Sequence, residues 1–68
     1  MTLGERLRKL RARAGLSQNQ LAKRAKVPQS VIAAVEGERQ KSVSLDDAMQ
    51  LATALGVPVD LLAGKEGQ

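Results

Sequence analysis

LSQNQLAKRAKVPQSVIAAVEGE, residues 16–38, decides the fold. It holds two short amphipathic runs on either side of Lys26-Val27-Pro28. Ser17 is an N-cap residue type, whose hydroxyl accepts from the open N–H groups of a first turn. The helix it starts runs to about Ala25, with Leu21, Ala22 and Ala25 inward and Gln18, Asn19 and Lys23 outward. Pro28 lacks the N–H that a first turn leaves unpaired, so it suits the start of a second run reaching Glu36, with Val31, Ile32 and Val35 as its apolar members and Gly37 as its stop. Helices this short are marginal alone. Each must lean on other elements, and so tight a join presents one helix outward at a set angle.

The flanking sequence supplies those elements. Leu3, Leu7, Leu10 and Ala14 recur at spacings of four, three and four, one stripe of a helix from Thr2 to Ala14 that Gly15 ends. After the polar loop 38–43, Ser44 and the acids Asp46 and Asp47 read as the start of a helix to Leu55, the acids lying favourably against its dipole. Its expected buried side is Leu45, Ala48, Leu51 or Met49, Ala52 and Leu55, with Gly56 and Pro58 closing it. A last turn covers Val59 to Ala63. The expectation is an all-α, compact bundle of five short helices forming one domain over residues 1–63. Residues 64–68, GKEGQ, read as a polar tail, either a natural end or the start of a linker.

Composition narrows the function. Sixty-eight residues allow one domain with a small core. The chain has no cysteine and no histidine, which removes disulfides, thiolate metal sites, the usual zinc ligands and the commonest general base. It has no Phe, Trp or Tyr, so the core is aliphatic and base stacking on aromatic platforms is excluded. No apolar run approaches the ~18 residues of a membrane span, and the reading is a cytoplasmic protein with no membrane partner. Ser17, Ser30, Ser42 and Ser44 have no neighbouring base, and Asp46-Asp47 sits naturally at a helix start, so no enzyme, cofactor or small-molecule ligand is expected. Residues 1–42 carry ten Lys or Arg against three acids, a net +7, whereas residues 43–68 carry one Lys against four acids, a net −3. The basic part suits a polyanion. Cations that only solvate helix faces would give the same count.

The quoted stretch closely resembles the helix-turn-helix of the phage Cro and repressor family, the xenobiotic-response-element type. It combines Gln18, Leu21, Ala22, Val27, Ile32, Val35 and Glu36 at the family's spacing, and LATALGV, residues 51–57, resembles that family's fourth-helix signature. The likeness covers residues 3 to about 63. It implies a lambda-repressor-like fold with the helix-turn-helix at helices two and three, and a sequence-specific regulator of transcription that puts helix three into the major groove of double-stranded DNA as a homodimer. A B-DNA major groove, ~12 Å wide, admits one helix, whose front meets base edges.

Carried over position by position, the resemblance implies base reading by Gln29, Ser30, Ala33 and Ala34. Gln29 is the strong candidate, since an amide can donate to and accept from adenine together. Backbone contacts fall to Gln18, Asn19, Lys23, Arg39 and Lys41, with Arg8 and Arg13 adding to the field. Arg11 and Glu36 match a structural ion pair tying helix one to the end of helix three. Val57, Val59, Leu61 and Leu62 are many aliphatics for a short terminus, which suggests a dimer face or a plug beneath one core. Some positions depart from the family. Ala33 and Ala34 replace polar or basic residues, Lys26 stands where glycine is usual, Gly37 comes one place early, and Val43 replaces a proline. The two alanines leave room for a second reading, a protein-interaction module on the same scaffold, such as an antitoxin-like partner binder.

Overall fold

A computed structural model describes residues 1–63. The polar tail expected over residues 64–68 lies outside the described residues. The order is α1 (Leu3–Arg13), α2 (Gln18–Ala25), α3 (Gln29–Glu36), α4 (Leu45–Leu55) and one 3-10 turn (Val59–Leu61). Among the described residues there is no strand. The expectation of five helices is therefore corrected, among the described residues, to four α-helices and a single tight turn. After Pro58 the described residues close two i to i−3 bonds, from Leu61 N–H to the Pro58 carbonyl and from Leu62 N–H to the Val59 carbonyl, the pattern of a 3-10 turn and not of an α-helix.

The helix starts are built from side chains. Thr2 and Glu5 form a capping box at α1, and Ser17 and Gln20 form another at α2, each hydroxyl accepting from the third residue's N–H while that residue's side chain accepts from the cap N–H. Ser44 Oγ accepts from Asp47 N–H at 3.1 Å to start α4. Pro28 lies one place before α3 rather than inside it, and no side chain caps that helix.

Three helix ends share one device. A left-handed residue reverses the chain, and the next N–H returns to a carbonyl in the last turn: Leu16 to Arg11, Val27 to Ala22 and Val57 to Ala52. The left-handed residues are Gly15 (φ 74°), Lys26 (φ 58°) and Gly56 (φ 72°). Lys26 thus holds a conformation that the other two ends give to glycine, at a cost of about 1 kcal/mol. The end of α3 is different. Gly37 keeps φ at −84°, Glu38 takes the left-handed place at φ 66°, and the Ala34 carbonyl accepts from both Arg39 and Gln40.

The core is aliphatic: Leu3 and Leu7 from α1, Leu21, Ala22 and Ala25 from α2, Val27, Ile32 and Val35 around α3, Ala48, Leu51 and Ala52 from α4, and Leu62. α2 packs on α3 and α4, and α1 packs on α3. Two sequence expectations fail here. Leu45, expected on the buried side of α4, is 64% exposed on its flank; of the alternatives Leu51 and Met49, Leu51 is the buried one, and Met49, 52% exposed, lies one turn from Leu45. Leu62, expected at a dimer face, is 1% exposed and fills this chain's own interior. Gly4, inside α1, permits a close crossing: a Cβ there would land on the Val35 carbonyl oxygen.

Candidate nucleic-acid interface

The turn between α2 and α3 has few free variables. Lys26 reverses the chain, Val27 is 3% exposed in the core, and Pro28 holds its own φ at −56°. With Ile32 and Val35 also fully buried, α3 is held against the body along one stripe and free along the other. The free side is Ser30, Ala33, Ala34 and Gly37, positions spaced three and four apart. Ser30 and Gly37 are exposed and the two alanines half-buried. This face carries only small side chains, so the helix can approach a partner surface closely. It can offer one hydroxyl and two methyl groups there.

Gln29, the first residue of α3, is exposed. Its Nε2 donates to Gln18 Oε1 at 2.8 Å, joining the front of α3 to the front of α2. Gln18, half-buried, donates in turn from Nε2 to Glu36 Oε1 at 3.0 Å. Gln29 and Glu36 are seven residues apart, two turns on one face of α3, and Gln18 bridges them.

Glu36 is the one buried charged residue among the described residues, 6% exposed. Arg11 meets it with two prongs, Nε to Oε2 at 2.7 Å and Nη2 to Oε1 at 2.9 Å, and its Nη1 donates to the Leu16 carbonyl at 2.9 Å. Arg8 reaches the Glu36 carbonyl at 3.3 Å. Burial pushes the Glu36 carboxyl up, but the hydrogen bonds from Arg11 and Gln18 and the Arg11 and Arg8 cations outweigh it and hold the group below its ordinary value. The Arg11 guanidinium is raised, chiefly by its hydrogen bond to Glu36.

The other residues expected to contact the DNA backbone are exposed on α2 and in the loop after α3. Asn19, Lys23 and Arg24 are exposed on α2, as is Lys26 just after it. Arg39 and Lys41 are exposed in the loop after α3. Arg39 crosses Gly37, where a Cβ would come within 2.9 Å of its Nη1, so this glycine lets a cation lie over the negative end of the α3 dipole. Lys41 Nζ lies 3.7 Å from Glu38 Oε1, and Glu38 Oε2 accepts from the Thr2 hydroxyl at 2.7 Å. The α4 acids Asp46 and Asp47 and the apolar Leu45, Met49 and Leu61 belong to other elements. Val57 and Val59 are half-buried against the core, and Leu61 is 39% exposed.

Sequence reasoning missed three structural residues: Gly4, the Thr2 clasp on Glu38, and Gln20. The spacings Thr2-x-x-Glu5 and Ser17-x-x-Gln20 carried the capping signal. Nothing local marked Gly4 or the Thr2 clasp, because their partners lie more than thirty positions away.

A family model described as a helix-turn-helix domain matches residues 2–63, nearly the whole chain. The chain belongs to the helix-turn-helix domain family. This helix-turn-helix domain is 36% identical over 66 residues to an immunity repressor protein of Bacillus phage phi105, a match covering 97% of the chain and 45% of that protein. The chain thus spans less than half the length of that curated relative. Among solved structures, it resembles the restriction-modification controller protein C.AhdI from Aeromonas hydrophila, with 40% identity, a TM-score of 0.80, and coverage of 88% of this chain and 89% of that one. It also resembles the N-terminal DNA-binding domain of SinR from Bacillus subtilis, with 26% identity, a TM-score of 0.86, and coverage of 97% and 96%.

Proposed function

We propose that this chain is a sequence-specific, double-stranded-DNA-binding regulator of transcription, of repressor or controller type, that seats α3 in the major groove. The observation that carries the reading is the pair of amides at the front of α2 and α3: Gln29, exposed, is held by Gln18 at 2.8 Å. A positioned amide is the group that recognises an adenine edge. Repressor, controller and DNA-binding relatives support the same reading.

In this arrangement Gln29 and Ser30 read base edges. Ala33 and Ala34 meet thymine methyl groups, and their small face lets DNA shape contribute to selectivity. Asn19, Lys23, Arg39 and Lys41 hold phosphates, and Gln18 joins them through its backbone N–H in the open first turn of α2, its side-chain amide being engaged by Glu36 and Gln29. The protein acts by occupancy in the cytoplasm, without catalysis. Two copies pair through Leu61 and the half-buried Val57 and Val59, and occupy half-sites ~34 Å apart. Residues 1–63 act as the binding domain and residues 64–68 as a polar tail.

Anisotropy titrations on duplex DNA test the proposal. Each phosphate held should add ~0.9 to the slope of log affinity against log salt. Salt-independent binding, or none at low salt, would contradict it. The exposed Leu45 and Met49, on the flank of α4, favour the second reading, a protein-partner module. No duplex binding at low salt, together with a protein partner whose binding is unchanged by excess duplex, would select it.

A further inference from the structure

Resting on the DNA-reading proposal, we propose that the buried Glu36 carboxylate, acting through Gln18, sets which way round the Gln29 amide faces, and so makes this domain choose adenine over guanine. Glu36 is here a positioning and specificity-determining residue that does not itself touch DNA.

The reasoning is one of donors and acceptors. An ionised carboxylate only accepts. Glu36 takes two N–H groups from Arg11, so whatever faces its Oε1 from Gln18 must be the NH₂ end of that amide. The Gln18 carbonyl is therefore turned the other way, toward Gln29, at 2.8 Å from its nitrogen. An acceptor there requires a donor opposite, so Gln29 commits one N–H to Gln18. Its own carbonyl and its remaining N–H are left for the groove. Each direction follows from the charge at the buried end.

That remainder has a definite complement. Adenine presents the N7 acceptor beside the N6 donor, which matches one N–H and one carbonyl. Guanine presents two acceptors, N7 and O6, and the second would face the Gln29 carbonyl. An unanchored glutamine can turn its NH₂ group toward guanine, but one whose N–H is already committed cannot. Replacing Glu36 by glutamine restores the choice, because an amide at position 36 can either donate or accept. The Gln18 amide can then turn over and offer its NH₂ to the Gln29 carbonyl, which releases both N–H groups of Gln29.

The test uses duplexes selected from a random library by the whole chain, with the position read by Gln29 defined as the one whose preference disappears in Gln29→Ala. At that position the A·T and G·C versions of one duplex are compared by anisotropy for the wild type, Glu36→Gln and Gln18→Leu. The wild type should prefer A·T by roughly 5- to 150-fold, the range for one bidentate pair. In both variants the ratio should shrink to within about threefold, even though overall affinity also falls. Gln18→Leu leaves Arg11 and Glu36 paired, so it stands if Glu36→Gln does not fold. A wild-type ratio retained in Gln18→Leu would overturn the relay while leaving base reading by Gln29 intact. A wild type that selects no duplex would overturn the regulator reading, and the relay with it.

Discussion

Arg11 and Glu36 join the last turn of α1 to the last residue of α3 by two parallel hydrogen bonds of 2.7 and 2.9 Å, with 18% and 5% of the two side chains exposed. A carboxylate this deep stays charged only because its partners are in place. Arg11→Met should therefore strand it and cost about 3 kcal/mol, the lower end for a broken buried pair because Arg11 keeps some contact with water. A domain of this size has only ~3–9 kcal/mol in total. Urea denaturation measures the loss, and the double variant Arg11→Met/Glu36→Met should recover most of it. A single variant as stable as the wild type would show the pair to be idle.

The same carboxylate sets the acid limb of stability. Its pKa is lowered in the folded chain, so its contribution is complete above the ordinary glutamate value, ~4.3, and is lost as pH falls through the folded value. Urea midpoints between pH 7 and pH 3 should fall for the wild type below about pH 4.5 and fall less steeply for Glu36→Gln. Some slope should persist, because Glu5 is also lowered, chiefly by the Thr2 backbone N–H. Equal slopes in the two proteins would remove Glu36 from the account.

Gly4→Ala should destabilise by about 1–3 kcal/mol or more, although alanine is the better helix former. The added methyl would meet the Val35 carbonyl, which is backbone and cannot swing aside. Thermal unfolding followed by circular dichroism checks this. A rise in midpoint, as helix propensity alone implies, would mean that α1 and α3 do not cross so closely.

Lys26→Gly should act in the opposite direction. Lys26 is exposed and left-handed at φ 58°, and glycine relieves the strain, so stability should rise by up to ~1 kcal/mol in urea denaturation. A loss would show that the lysine side chain contributes more than its backbone costs.

These residues also show what the sequence made legible. The four helices, their N-caps at Ser17 and Ser44 and their stops at Gly15, Gly37 and Gly56 could be read locally, because each rests on neighbours within four positions. The helix-turn-helix was legible for the same reason. Long-range packing was not. Periodicity could not tell that Leu45 and Met49 flank the buried stripe of α4, nor that Leu62 folds back into the core. At the α3 end the residue order suggested glycine as the special position, but Glu38 takes the left-handed place while Gly37 makes room for Arg39. Within the candidate interface the residue types were evident one by one. The hydrogen-bonded line from Gln29 through Gln18 to Glu36 and Arg11 emerged only once the two helices were set against each other.

The most direct measurement compares wild type and Gln29→Ala on two duplexes, one selected from a random library by the wild type and one of scrambled sequence, at a single salt concentration. Base reading from the front of α3 requires Gln29→Ala to lose ~1–3 kcal/mol on the selected duplex and almost nothing on the scrambled one. Equal losses on both, or none on either, would contradict it.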